Sequence, residues 1–179
     1  PTNKLDDASK TLIDNHTWKT GAPIRETLHD STTNSLDTVE FYKAERGTVN
    51  GKICTRGLWC NDTVNRTTTW TGYVALPYIT EWAYASSEND CNTMIDQSST
   101  YKCKNNNWMH RGDSTWYLSP GADSGRASLV WSVNGAGEAY RDSASNSNGV
   151  APAIYLKSNV LIESGNGRED TPYTLKAGK

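Results

Sequence analysis

The chain has 179 residues and a mass of 19.7 kDa, enough for one domain with a buried core. Leu, Ile, Val and Phe number only 27 while Ser, Thr and Asn number 54, so seven Trp and nine Tyr must supply much of the packing area. A net charge of −2, a pI near 5.9 and the lack of a basic block argue against nucleic acid or an anionic membrane as the main partner. No apolar run approaches the length of a membrane span, and none reads as a signal peptide, so no membrane insertion by these residues is expected.

Residues 3–16 carry a helical pattern with Leu5, Ala8, Leu12 and Ile13 on one side, ended by Gly21-Ala22-Pro23. A second short helix is predicted over 24–28. From Asp37 onward the pattern shifts to short β-like runs at 38–42, 70–76, 129–133 and 153–156. Between them, 78–86 reads as a helix led by Pro77, with Trp82 facing the core. Residues 160–162 predict a strand, Ser164-Gly165-Asn166-Gly167 a turn, and 173–175 a strand that pairs back. The stretches 105–107 and 143–148 read as loops. Trp18, Trp59, Trp70 and Trp82 are expected in the core, since a Leu-poor chain needs their buried area.

The four cysteines fall as two close pairs, Cys54 with Cys60 and Cys91 with Cys103. Neither spacing is that of a zinc knuckle or a C-x-x-C redox motif, and no His adjoins them, so no metal is expected. Four cysteines allow three connectivities; local bridges 54–60 and 91–103 are the preferred reading, against four reduced thiols buried as small apolar groups. Such bridges would each add about 2–3 kcal/mol and place the protein outside the reducing cytosol.

Catalysis finds no positive support. The three histidines (His16, His29, His110) lack a G-x-S-x-G partner, and Asp123-Ser124-Gly125 lacks the glycines that shape an oxyanion hole. No phosphate loop, dinucleotide fingerprint or H-E-x-x-H occurs, so no cofactor is expected. Glu169-Asp170 reads as a solvated turn, and a hydrolase built on distant carboxylates is the least favoured alternative.

Residues 108–150 stand apart. Their apolar anchors are sparse (Trp108, Trp116, Leu118, Leu129, Val130, Trp131, Val133), and the run 135–143 sets Tyr and Arg among small residues. That is the composition of recognition loops, shared by ordinary solvated loops over a sheet. Arg111-Gly112-Asp113 reads as a chance surface turn, and the N-x-[ST] sequons at Asn15, Asn61 and Asn65 as polar loops.

A family resemblance adds to this reading. The run Asn148-Gly149-Val150-Ala151-Pro152-Ala153-Ile154-Tyr155-Leu156-Lys157-Ser158-Asn159-Val160 resembles the G-V-R-P-A-L-Y-L-K-S-N-V signature of a bacterial surface-protein group. Trp70-Thr71-Gly72-Tyr73-Val74-Ala75-Leu76 is similar to its W-T-G-K-V-A-L, and Cys103-Lys104-Asn105-Asn106-Asn107-Trp108-Met109 to its C-K-N-N-x-W-L. Trp116-Tyr117-Leu118-Ser119-Pro120 is similar to its W-x-L-S-P. The likeness covers about residues 70–175. It divides the chain into 1–69, an N-terminal helix and connecting segment packed on the domain, and 70–179, the ligand-binding domain.

Members of this group occur on gut Firmicutes, often behind a type IV prepilin-like leader, and resemble C-type lectin-like domains diversified by retroelements. The resemblance implies an α+β, C-type lectin-like fold with short antiparallel sheets, two helices and long polar loops. It implies a non-enzymatic recognition or adhesion domain at a bacterial cell surface or pilus. The partner would be a protein or glycan on another cell, phage or host surface, with pilin subunits as possible neighbours. The alternative is a structural minor pilin subunit. The usual Arg of the signature is Ala151 here, and the calcium-lectin triplets are absent, so calcium-mediated sugar binding does not carry over. From Ser119 to Asn148, only Trp131 and Glu138 belong to the residue types that adenine rewriting of Asn codons cannot generate.

The recognition surface is expected near residues 110–145. Alternation from a buried Trp131 points Ser132 and Asn134 outward, and Val130, Val133, Ile154 and Leu156 anchor the sheet. Beyond the 135–137 turn, Glu138, Tyr140, Arg141 and Asp142 are expected together, with Arg126 and Ser128 nearby and Tyr140 and Arg141 as main anchors.

Overall fold

In chain order the elements are α1 (Asp7–Leu12), β1 (His16–Lys19), α2 (Thr38–Glu45), β2 (Thr69–Gly72), α3 (Ile79–Tyr84), β3 (Thr115–Pro120), β4 (Leu129–Val133), β5 (Ala139–Ser143), β6 (Gly149–Val150), β7 (Val160–Ser164) and β8 (Thr174–Ala177). The computed structural model describes residues 6–20, 38–46, 69–86, 104–105, 107–120 and 128–178. The architecture is mixed α+β, with short strands in small sheets. Three short helices lie among the described residues, where the lectin-like resemblance implies two. The predicted cysteine pairings, Trp59, the 24–28 helix and the Gly21-Ala22-Pro23 stop lie outside the described residues.

Strict alternation in β3 builds the central sheet. Thr115, Tyr117 and Ser119 are buried while Trp116, Leu118 and Pro120 are half-buried, the signature of a strand with one face on a core. The sheet runs β5–β4–β3–β6, antiparallel except where β6 lies parallel to β3. Its inner face meets α2 and α3: Phe41, Ile79, Trp82 and Ala83 pack with Tyr117, Trp131, Val133 and Ala139. Phe41 meets Trp131 edge-to-face at 5.5 Å, the favoured geometry for two aromatic quadrupoles. Residues from both halves of the chain thus share one core.

Residues 38–42 form part of a helix rather than the predicted strand. Thr38, Phe41 and Glu45 are the buried positions, spaced i, i+3 and i+7 on one helical face, and this packing overrides the β preference of Thr38 and Val39. The first helix is shorter than its pattern: Asp6 caps it by accepting from the Ser9 amide at 2.7 Å, and by His16 the chain has become a strand paired with β2. In α3 the Tyr78 amide donates to the Glu81 carboxylate at 2.9 Å, half of a capping box, and Trp82 is buried as expected.

The 70–76 run is two pieces: β2 ends at Gly72, and Ala75 makes an isolated bridge to Ala153. Residues 153–156 are likewise not a strand; only Ala153 and Leu156 pair, the latter with Ile13, and Ile154 and Leu156 are exposed instead of anchoring the sheet. The segment from β6 to Lys157 therefore acts as a strap, touching β3, the Ala75 bridge and the end of α1, where the Lys157 amide donates to Leu12 at 2.9 Å. The C-terminal hairpin forms as predicted, β7 pairing with β8. Its turn needs Gly165, whose φ is +90° and whose missing Cβ would sit 2.0 Å from the Pro172 carbonyl. Among the described residues, no helix is long and apolar enough to cross a membrane.

Candidate functional site

The register of the central sheet sorts the predicted recognition residues onto two faces. Val150 of β6 lies beside Trp116 of β3, Trp116 beside Ser132 of β4, and Ser132 beside Tyr140 of β5. These four make one row across the outer face. A neighbouring pair, Val130 and Asp142, continues that face along β4 and β5. Arg141 pairs with Trp131 and so belongs to the opposite, core-facing side. The expectation that Tyr140 and Arg141 stand together fails because adjacent residues on a strand point to opposite faces.

Ser132 does take the outer face, but it is fully buried there rather than displayed. It is flanked by Trp116 and Tyr140 across the sheet and accepts from the Asn148 amide at 3.1 Å. Asn134 and Glu138 are engaged with each other. The Asn134 amide donates to the Glu138 carboxylate at 2.7 Å, while its carbonyl accepts from the Ala136 and Glu138 amides at 2.9 and 3.0 Å. They close the β4–β5 turn, with Gly137 at φ +81°. Ser128 is exposed at the foot of β4, and Arg126 lies outside the described residues.

Asp142 is the polar hub of this face. It accepts from the Ser143 amide at 2.8 Å, Asn146 at 2.6 Å, Asn148 at 3.2 Å and the Tyr140 hydroxyl at 3.4 Å. Desolvation opposes its charge, but the donors from Asn148, Ser143, Asn146 and Tyr140 outweigh it and hold its carboxyl below the ordinary carboxylate range. The loop 143–148, expected to be merely polar, is thereby pinned to the sheet.

A second feature escaped the sequence reading. A groove of about 670 Å³ opens between α2, α3, the 108–111 turn and the strap. Arg46 lies in its wall, fully occupied: its Cζ stands 3.6 Å from the Tyr42 ring centre and 4.7 Å from that of Tyr78. The same guanidinium donates to Glu45 at 3.3 Å, Thr80 at 3.2 Å and Glu81 at 3.1 Å. On the strap side, Tyr155 stacks on His16 at 4.0 Å and Trp18 at 4.9 Å. Trp18 is buried as expected, and its indole donates to the Gly72 carbonyl at 3.2 Å. Trp70, expected in the core, is instead exposed, and so is Trp108, at 82%. Asn107 explains Trp108: buried, it donates to the Trp82 carbonyl at 2.9 Å and accepts from the Met109 amide at 2.9 Å, forcing the intervening indole outward. Arg111-Gly112-Asp113 is an exposed turn with Gly112 at φ +80°.

Behind Arg46 sits Glu45, fully buried and receiving the hydroxyls of Thr80 and Ser119. Burial pushes its carboxyl from an ordinary 4.5 up to about 7, against the opposing pull of Ser119, Thr80 and Arg46. Nothing in the sequence pattern separates this glutamate from the solvated ones around it. No group of His, Cys, Asp and Glu able to hold a metal ion occurs among the described residues. No family model, curated protein or solved structure matches the chain.

Proposed function

We propose that the chain is a non-enzymatic recognition domain of C-type lectin-like fold, displayed on a bacterial cell surface or pilus. It binds a protein or glycan ligand through the outer face of its four-stranded sheet. The observation that carries this reading is the row Val150–Trp116–Ser132–Tyr140 with Asp142 beside it. Two large aromatic side chains, an exposed Val150 and a carboxylate fixed by four donors stand on a sheet whose other face is locked to the core. Groups held this rigidly lose little entropy when a partner docks. Short strands, few helices and the family-like run 148–160, which includes the strap, support the lectin-like assignment. Tyr140 and Asp142 remain the central contacts from the sequence reading, and Trp116 and Val150 replace Arg141, Ser132, Asn134 and Glu138.

Sequences of this locus from sister isolates test the reading. A diversified recognition surface predicts substitutions concentrated at outward positions such as 128, 140, 142 and 146, with Tyr117, Trp131 and Val133 unchanged. Variation spread evenly over surface loops, with positions 140 and 142 constant, would instead mark a structural pilus subunit whose sheet packs on a neighbour.

A further inference from the structure

We propose that the groove between α2, α3 and the strap is a second binding site, which takes a glycan bearing a carboxylate, a sugar acid, independently of the sheet face. Three observations lead there. First, the lining presents aromatic rings to solvent: Tyr42, Tyr84, Trp108 and Tyr155 are all exposed, in a chain that buries Trp18, Trp82 and Trp131 to build its core. Exposed rings along a concave wall suit the flat C–H faces of pyranose rings, and they keep their shape without a ligand because each has few rotatable bonds.

Second, the site is built rather than incidental. Tyr42 and Tyr84 meet edge-to-face at 5.9 Å, Arg46 covers one face of Tyr42, and Asn107 fixes the turn that carries Trp108. Third, the charges of the lining are unequal. Arg46 is saturated by Glu45, Glu81 and two rings, and Glu81 has one oxygen on Arg46 and the other on the Tyr78 amide. Arg111 lines the same groove, is exposed, and makes no ion pair or hydrogen bond among the described residues. The lining charge left over is therefore a guanidinium, whose planar fork suits a carboxylate in two parallel hydrogen bonds. Aromatic faces beside an unspent guanidinium complement a ring with a carboxylate.

Calorimetric titration of the full chain with 3′-sialyllactose and trigalacturonate, each against lactose as the neutral probe, tests this. Saturable binding of at least one acidic probe is expected, about ten-fold tighter than lactose, the size of one charge-assisted contact. Arg111→Ala should bring the acidic probe down to the lactose level, and Trp108→Ala should weaken acidic and neutral probes alike. Both side chains are exposed, so circular dichroism should show both variants folded. Tyr140→Ala, on the sheet face, should leave these titrations unchanged. Equal affinity for acidic and neutral probes, an unaffected Arg111→Ala variant, or saturable binding of a proline-rich peptide with both acids ignored would each overturn the proposal.

Discussion

Replacing Glu45 with Gln should reverse part of the pH dependence of stability. The Glu45 carboxyl is raised from an ordinary 4.5 to about 7 in the folded chain, first by burial. A raised carboxyl means that the folded state holds a proton which the unfolded state has lost between those two values. Its contribution is therefore fully present below pH 4.5 and is lost as pH rises through about 7. Integrated between roughly pH 5 and 8, that loss amounts to about 2–3 kcal/mol. Gln has nearly the same shape and can still accept from Thr80 or Ser119, but it does not titrate. Urea unfolding of both proteins across this range should show Glu45→Gln gaining on the wild type by that amount as pH rises. If the carboxylate were instead a stabilising partner of Arg46, the variant would fall behind at high pH by about 3–5 kcal/mol, the usual cost of breaking a buried pair. That result, or a difference independent of pH, would show that burial does not govern the Glu45 carboxyl.

Phe41→Ala should cost about 3–5 kcal/mol in urea unfolding, because the ring is fully buried edge-on to Trp131; a cost below about 1 kcal/mol would remove α2 from the core. Tyr78→Phe removes a hydroxyl that donates to the Lys19 carbonyl at 2.7 Å and accepts from the Lys19 amide at 2.9 Å. It should lose about 1–3 kcal/mol and speed hydrogen exchange at Lys19, since two backbone groups are left unpaired. Asp142, whose carboxyl lies below its ordinary 3.8, contributes stability above that value that disappears as pH falls further. Acid titration followed by NMR should therefore release the Asn146 and Asn148 side-chain amides together, and Asp142→Asn should abolish that step.

Local chemistry was readable wherever it was decided locally. The β-branched and aromatic run 129–133, the glycines of the 164–167 turn and the Trp82 spacing each point to one local structure, and each forms, although Ser132 is buried rather than alternating outward. Thr38-Val39-Glu40-Phe41-Tyr42 does not behave so, because its β-branched start reads as a strand while its packing partners, Trp131 and the α3 face, lie far along the chain. Trp108 and Trp70 show the converse. Type alone assigns a Trp to the core, but Asn107 turns one outward, and β2 leaves the other uncovered. Arg141 differs for a simpler reason: it and Tyr140 are adjacent on one strand, where the period of two forbids a shared face. The aromatic groove could not be read at all, since its walls come from five separated segments that only the fold brings together.

The most direct test of the recognition surface is an array of glycans and of bacterial and host surface proteins probed with the full chain and two variants. A bound feature is expected that Tyr140→Ala weakens by about 30-fold, equivalent to about 2 kcal/mol, while Arg141→Ala, on the opposite face, retains it. No bound feature at all, or features that Tyr140→Ala keeps and Arg141→Ala loses, would contradict that expectation.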